Sequence, residues 1–228
     1  LDRVILGTAA VTSEGFVETA VKDYGEKIAV GVSGGKDSLA MLYALAGMRR
    51  FYPKHFSLIG ITCNLGFKNV NFDRITEICK ELEVPYYIVD TDISQIVFES
   101  RKEESPCSLC AKMRKGAMNE FIKEHGCNKI AYAHHKDDVV ETYMMSLIYE
   151  GRQHTFSPVT FLDRSKVTVI RPFIYMNEAD IKGFTNENNI PVLKSACPVD
   201  GFTKRQYAKD LLKSINAEAP GVRERIFT

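Results

Sequence analysis

The stretch Ile28-Ala29-Val30-Gly31-Val32-Ser33-Gly34-Gly35-Lys36-Asp37-Ser38-Leu39-Ala40-Met41-Leu42-Tyr43-Ala44-Leu45 decides the fold of this chain. A short apolar run, a glycine turn and a second, longer apolar run read as a buried strand, a tight turn and a helix. That order sets a helix N-terminus, with its unpaired N–H groups, at the end of a strand where an anion can dock. Gly34 and Gly35 are expected to turn with positive φ and to admit a phosphate without a Cβ in the way. Ser33 and Ser38 supply hydroxyls, and Lys36 supplies a cation. Asp37 would repel a phosphate unless a hard cation such as Mg²⁺ lay between them. The loop is not a Walker A motif, which needs four residues before its Gly-Lys pair and Ser or Thr after it. Here Gly31 stands one residue too close, and Asp37 follows the lysine.

Outward from this unit, strand and helix alternate. Strands are predicted at Ile28–Val32, Ser57–Thr62, Pro85–Val89, Lys129–Ala133 and Val167–Arg171. Helices are predicted at Ser38–Arg50, Phe72–Leu82, Ala111–His125 and Asp137–Tyr149. Single helices between strands imply an α/β fold, a Rossmann-like parallel sheet with helices on both faces. Ligands in such sheets bind beyond the carboxyl ends of the strands, where both Ser33–Ser38 and the segment after Ala133 fall. The expected organisation is an appendage over residues 1–25, a nucleotide-binding domain over 26–177, and a helical segment over 178–228. Within the appendage, Val17–Val21 reads as an amphipathic helix and Gly7–Gly15 as a connector. After Glu178, two helices are expected to flank Ile190–Cys197.

The chain has 228 residues, 45% hydrophobic and 26% charged, with a formal net charge of +1. One full core is affordable at that length, and the charge balance argues neither for nor against a nucleic-acid partner. No apolar stretch nears the ~20 residues that span a bilayer, and no signal peptide is evident. A cytoplasmic protein with no membrane partner is the expectation.

Six cysteines in a cytoplasmic chain are poor candidates for structural disulfides. Cys107-Ser108-Leu109-Cys110 opens a helix, which sets both sulfurs on one side of a single turn. The helix dipole, Arg114 and Lys115 are expected to lower the thiol pKa values. By itself a CxxC reads as a redox pair, half a zinc site or cluster ligands. Cys197 is the candidate third ligand, and three thiolates could serve zinc with a histidine or an iron–sulfur cluster with one iron not held by protein. Cys63, Cys79 and Cys127 read as buried free thiols, with Cys63 at a ligand-facing strand end.

The segment His134-His135-Lys136-Asp137-Asp138 opens a helix after a strand, facing the same crevice as Ser33–Ser38. Asp137 and Asp138 suit helix capping or a catalytic site, and the two histidines crowd them. His134 is a candidate contact to the nucleotide. Arg171, before Pro172, is placed either to pair with a phosphate or to bridge to Asp180 or Glu178. Arg114, one turn beyond Cys110, could orient a nucleotide or an RNA backbone or offset cluster charge.

Ser33–Ser38 resembles the PP-loop of the adenine nucleotide α-hydrolase-like ATPases. With Cys107–Cys110, Ala131–Thr142, Ile170-Arg171-Pro172-Phe173 and Cys197, the chain after residue 26 is similar to the tRNA 2-thiocytidine synthetases. The related thiouridine synthetases carry extra zinc-finger CxxC pairs at their termini; this sequence has none, which favours the cytidine branch. The resemblance implies an AMP- and pyrophosphate-forming tRNA sulfurtransferase that thiolates a cytidine through an adenylated base. ATP and Mg²⁺ would bind at Ser33, Gly34, Gly35, Lys36, Asp37, Ser38, His134 and Arg171. Cys107, Cys110 and Cys197 would hold a four-iron, four-sulfur (4Fe–4S) cluster, and Asp137, Lys36 and Arg114 would be catalytic. The implied partners are tRNA and a sulfur donor, such as a cysteine desulfurase or inorganic sulfide; a homodimer stays open. Other readings are another AMP-forming PP-loop enzyme (thiouridine synthesis, lysidine formation or small-molecule thiolation) and a non-catalytic nucleotide or metal sensor.

Overall fold

A computed structural model of the chain describes residues 25–68, 70–101, 106–199, 201 and 203–228. The readings of Val17–Val21 and Gly7–Gly15 lie outside the described residues. The strands are β1 (Glu26–Gly31), β2 (Phe56–Asn64), β3 (Tyr86–Asp90), β4 (Lys129–Ala131), β5 (Val159–Leu162) and β6 (Val167–Ile170). The helices are α1 (Lys36–Met48), α2 (Asp73–Glu81), α3 (Pro106–Glu124), α4 (Lys136–Glu150), α5 (Glu178–Glu187), α6 (Lys204–Glu218) and α7 (Val222–Phe227), with a π-helical turn at Gln95–Ser100.

The strands form one sheet in the order β3-β2-β1-β4-β6-β5. β1 pairs in parallel with β2 on one side, Ile28 opposite Leu58, and with β4 on the other, Ile28 opposite Lys129. The chain therefore winds outward through β2 and β3, then crosses back to β4. This leaves a switch point at the carboxyl end of β1, where open α/β sheets bind ligands.

The sheet is not wholly parallel. β5 runs antiparallel to β6, Val159 opposite Ile170, and closes one edge as a hairpin. The sequence reading left these four residues unassigned. They follow Pro158 and alternate exposed with half-buried, so they lack the apolar run that marks the inner strands.

Alternation along the strands divides the core in two. Ile28 and Val30 of β1 face α1, α2 and α5, where they meet Leu39, Leu42, Ile78, Ile181 and Phe184. Ala29 faces the other way, with Ile59, Ile61, Val169 and Met118 and Ile122 of α3. α1 is apolar around most of its circumference because it is buried; Leu39, Met41, Leu42 and Leu45 have no exposed surface. Each such side chain stabilises the fold by about 1.5–3 kcal/mol. α1 is thereby a fixed base for the loop that precedes it. As expected, helices flank Ile190–Cys197, here α5 and α6, and α7 follows them; α4 packs against α6 and α7. No helix among the described residues is long and apolar enough to cross a membrane.

Candidate active site

The loop between β1 and α1 is held by its two serines. Ser33 N donates to Ser38 Oγ at 3.1 Å, and Ser38 Oγ donates to the Gly35 carbonyl at 2.9 Å. Gly34 has φ +84°, a conformation that disfavours any Cβ, and an added Cβ would also press Leu193. Gly35 differs from expectation. Its φ is −72°, in the extended region, where it stands as the N-cap of α1. Having no side chain, it makes no cap bond, so the opening N–H groups of α1 have no side-chain cap. The loop is also tied to a distant segment, because Leu193 N donates to the Gly34 carbonyl at 2.9 Å.

Lys36 opens α1 and is paired twice. Its ammonium lies 2.9 Å from the Asp37 carboxylate and 3.0 Å from Glu178 Oε1. Burial works against the Lys36 charge, but bonds to Asp37 and Glu178 outweigh it and raise the pKa. Glu178 Oε2 accepts a bond from Lys209 Nζ at 2.7 Å. Burial opposes the Glu178 charge as well, yet Lys209 and Lys36 hold its carboxyl down at about 2. Opposite this chain stands a second ion-pair group. Arg205 reaches Asp138 at 3.3 Å, Glu141 at 3.1 Å and Thr142 Oγ1 at 3.1 Å. Glu141 is 3% exposed, and burial raises its pKa against the pull of Arg205. Together these residues, Thr142 excepted, and His135 line a cleft of about 200 Å³.

The helix that opens at Lys136 brings Asp138 and Glu141 to this cleft. His135 N donates to Asp138 Oδ2 at 3.0 Å, the reciprocal half of a capping box. Asp137 is fully engaged: one oxygen accepts from Glu178 N at 2.8 Å and the other from Arg223 at 2.5 Å. His135, buried, lies 3.8 Å from Asp37 and 3.4 Å from Asp138. His134 does not line the cleft; it packs against Phe156 and Tyr132. Burial first, then Arg171, Arg205 and His135, bring its pKa down to about 4. A neutral His134 offers no cation to a phosphate. Arg171 makes neither predicted ion pair. It donates to the Ser157 carbonyl at 2.6 Å and to Thr160 Oγ1, and stacks over Phe156, fastening β5. Glu178 is taken by the two lysines, and Asp180 bonds to Asn177.

Of the cysteines, Cys107 is exposed and Cys110 and Cys197 are half-buried, all free. Burial raises the Cys110 pKa; Arg114 opposes this, and nearby Cys197 and Cys107 add to it. The expected lowering is therefore not found for Cys110, because burial of the thiol outweighs the pull of Arg114. Cys63 belongs to this neighbourhood too: burial raises its pKa, and Arg114 and Cys110 both act on it. Sequence reasoning set Cys63 aside as a core thiol; only its strand-end position signalled otherwise. Among the described residues, no three His, Cys, Asp or Glu side chains are gathered tightly enough to hold a single metal ion. Cys110, with Cys107 and Cys197 both acting on it, suits a 4Fe–4S cluster better than zinc, since a cluster's thiolates bind separate irons and stand farther apart. For Mg²⁺, Asp37 is the carboxylate in place; one such group with substrate phosphates suffices.

Glu178, Lys209, Glu141 and Arg223 were not predicted as site residues. Arg205 could be found only as one basic residue among many. Glu178, Lys209 and Arg223 come from elements distant in sequence, and Glu141 lies one turn beyond Asp138 on α4, where its burial carries no local signal.

An open α/β sheet with a Ser-Gly-Gly-Lys-Asp-Ser loop at its switch point defines a nucleotide-binding protein of the PP-loop class. The comparisons agree: the family model described as PP-loop domain matches residues 10–200. A tRNA-cytidine(32) 2-sulfurtransferase of Citrifermentans bemidjiense is 35% identical over 207 residues, 90% of this chain and 81% of that one. One of Geobacter metallireducens is 36% identical over 218 residues, 92% and 85% of the two chains. Among solved structures, the U34-tRNA thiolase NcsA from Methanococcus maripaludis, with its 4Fe–4S cluster, superposes with a TM-score of 0.77. It is 26% identical, covering 93% of this chain and 74% of that one. The chain belongs to the PP-loop family and, within it, to the family of the tRNA-cytidine(32) 2-sulfurtransferases.

Proposed function

We propose that this protein is an ATP-dependent tRNA sulfurtransferase that thiolates a cytidine, with release of AMP and pyrophosphate. The observation that carries the reading is the bond from Leu193 N to the Gly34 carbonyl, which ties the segment leading to Cys197 onto the nucleotide loop. The bond supports a reading in which the sulfur chemistry and the triphosphate are handled at one end of the sheet. The names of the relatives support tRNA as the substrate and cytidine as the base.

In this reading the opening amides of α1, Ser33, Ser38 and Lys36 hold the pyrophosphate half of ATP. Asp37 would hold a Mg²⁺ ion that offsets its repulsion of the phosphates. The cytosine O2 attacks the α-phosphate and pyrophosphate leaves; sulfur then displaces AMP from C2. Asp137, at the opening of α4, is the carboxylate for proton handling, and Arg114 faces the sulfur side. Cys107, Cys110 and Cys197 would hold a 4Fe–4S cluster, which supplies an iron not bound by protein as the place for the transferred sulfur. Inorganic sulfide provides that sulfur directly, or a cysteine desulfurase does so as a persulfide whose outer sulfur a thiol reductant converts to sulfide, and the working compartment is the cytoplasm.

The test is tRNA from a strain lacking the protein, digested to nucleosides and resolved by mass spectrometry. Loss of 2-thiocytidine, restored by the wild-type gene, is expected. An unchanged 2-thiocytidine level with another thionucleoside lost would move the substrate to that base.

A further inference from the structure

We propose that Glu178 is a stand-in anion within the pyrophosphate site, and that Lys209 of α6 is a second phosphate-binding cation beside Lys36. The inference rests on the reading of Ser33–Ser38 as the pyrophosphate cradle. One carboxylate bridges two ammonium groups: Oε1 to Lys36 at 3.0 Å and Oε2 to Lys209 at 2.7 Å. All three side chains line the same cleft.

Lys36 is the first residue of α1 and lines the cleft, so its ammonium is the cation offered to an anion that reaches the uncapped amides. Such an anion cannot share that ammonium closely with Glu178, since two anions in contact repel strongly away from bulk water. Phosphate binding therefore expels the carboxylate from Lys36. Glu178 stays ionised throughout the neutral range, so it is a competing anion at every working pH. Once it moves, Lys209 loses its partner. Its side chain is 38% exposed and long, free to follow the incoming phosphate. Arg205 lies one turn before Lys209 on the same helix face, so α6 turns a cationic side toward the loop.

The alternative is that Glu178–Lys209 is only a clasp between α5 and α6. Binding of radiolabelled inorganic pyrophosphate, with Mg²⁺ present, separates the two. Lys209→Met should weaken pyrophosphate binding about tenfold, the scale of one charge-assisted bond. Glu178→Gln should tighten it by about the same factor, because the competitor has lost its charge. Glu178→Asp, too short to span both lysines, should also tighten it and serves if the first variant folds poorly. Lys213→Met, exposed on the same helix, controls for general loss of charge and should change nothing. Wild-type affinity in Lys209→Met, or no tightening in either Glu178 variant, would overturn the proposal. If Lys36→Met still abolished binding in that case, the cradle would stand and only this inference would fall. Absence of pyrophosphate binding by the wild type would overturn both.

Discussion

Arg223 Nη1 lies 2.5 Å from Asp137 Oδ1, so a residue near the C-terminal end of the described chain is clasped to the acid proposed for catalysis. The other Asp137 oxygen accepts the Glu178 amide. Removing Arg223 and removing the Asp137 charge should therefore differ. Arg223→Ala should loosen α7 and lower stability by about 1–3 kcal/mol, as loss of a mostly buried charge-assisted bond does, read from urea midpoints. Asp137→Asn keeps an acceptor for Glu178 N but should lower thiolation about 100-fold, the scale of a lost proton-handling group. Equal, small effects of both on thiolation would make Asp137 a structural pin.

The cysteines divide by place. Cys107→Ala, Cys110→Ala and Cys197→Ala should each lose bound iron after anaerobic reconstitution while ATP binding persists. Cys79 has no exposed surface and its thiol is pushed up to about 12 by burial. Cys79→Ala should leave iron intact and cost about 1–2 kcal/mol for the small cavity. Full iron content in Cys197→Ala would remove it from the ligand set.

The products of ATP report on the loop. With labelled ATP, Mg²⁺ and unmodified tRNA, chromatography should show AMP and pyrophosphate formed in step with thiolation. Lys36→Ala should slow both and leave iron content alone. ADP as the main tRNA-dependent product would refute the proposed bond cleavage.

His134 sets an acid dependence. The unfolded chain takes up a proton on this histidine near pH 6.5, while burial in the fold defers it to about 4. Between those values the unfolded state binds more protons, so stability falls as pH falls through that window and the contribution levels off below it. Urea titrations across pH 4–7 should show the slope reduced in His134→Asn. An identical slope in the variant would place the dependence elsewhere.

Much of this was legible in the sequence because it is local. Apolar runs and a double glycine announce β1, the loop and α1, and the CxxC announces two thiols on one turn. What was hidden depends on contacts across the chain. Val159–Leu162 pairs only at an edge, so its alternation is too brief to stand out. Lys36 was visible as a phosphate cation, but its partner Glu178 comes from α5 and that residue's second partner from α6. Gly35 was read for conformational freedom, whereas its value is the missing side chain at an N-cap. Arg114 was expected to activate Cys110, and burial of the thiol outweighed it.

The Leu193–Gly34 bond also makes a ruler of the peptide that follows it. Only Lys194, Ser195 and Ala196 separate the anchored residue from Cys197. The four residue steps from Leu193 to Cys197 span at most about 14 Å, so the thiol's reach from the nucleotide loop is set by chain length rather than by a rigid element. One inserted residue there would leave the ATP cradle and the cysteine chemistry whole, yet put them out of step with each other.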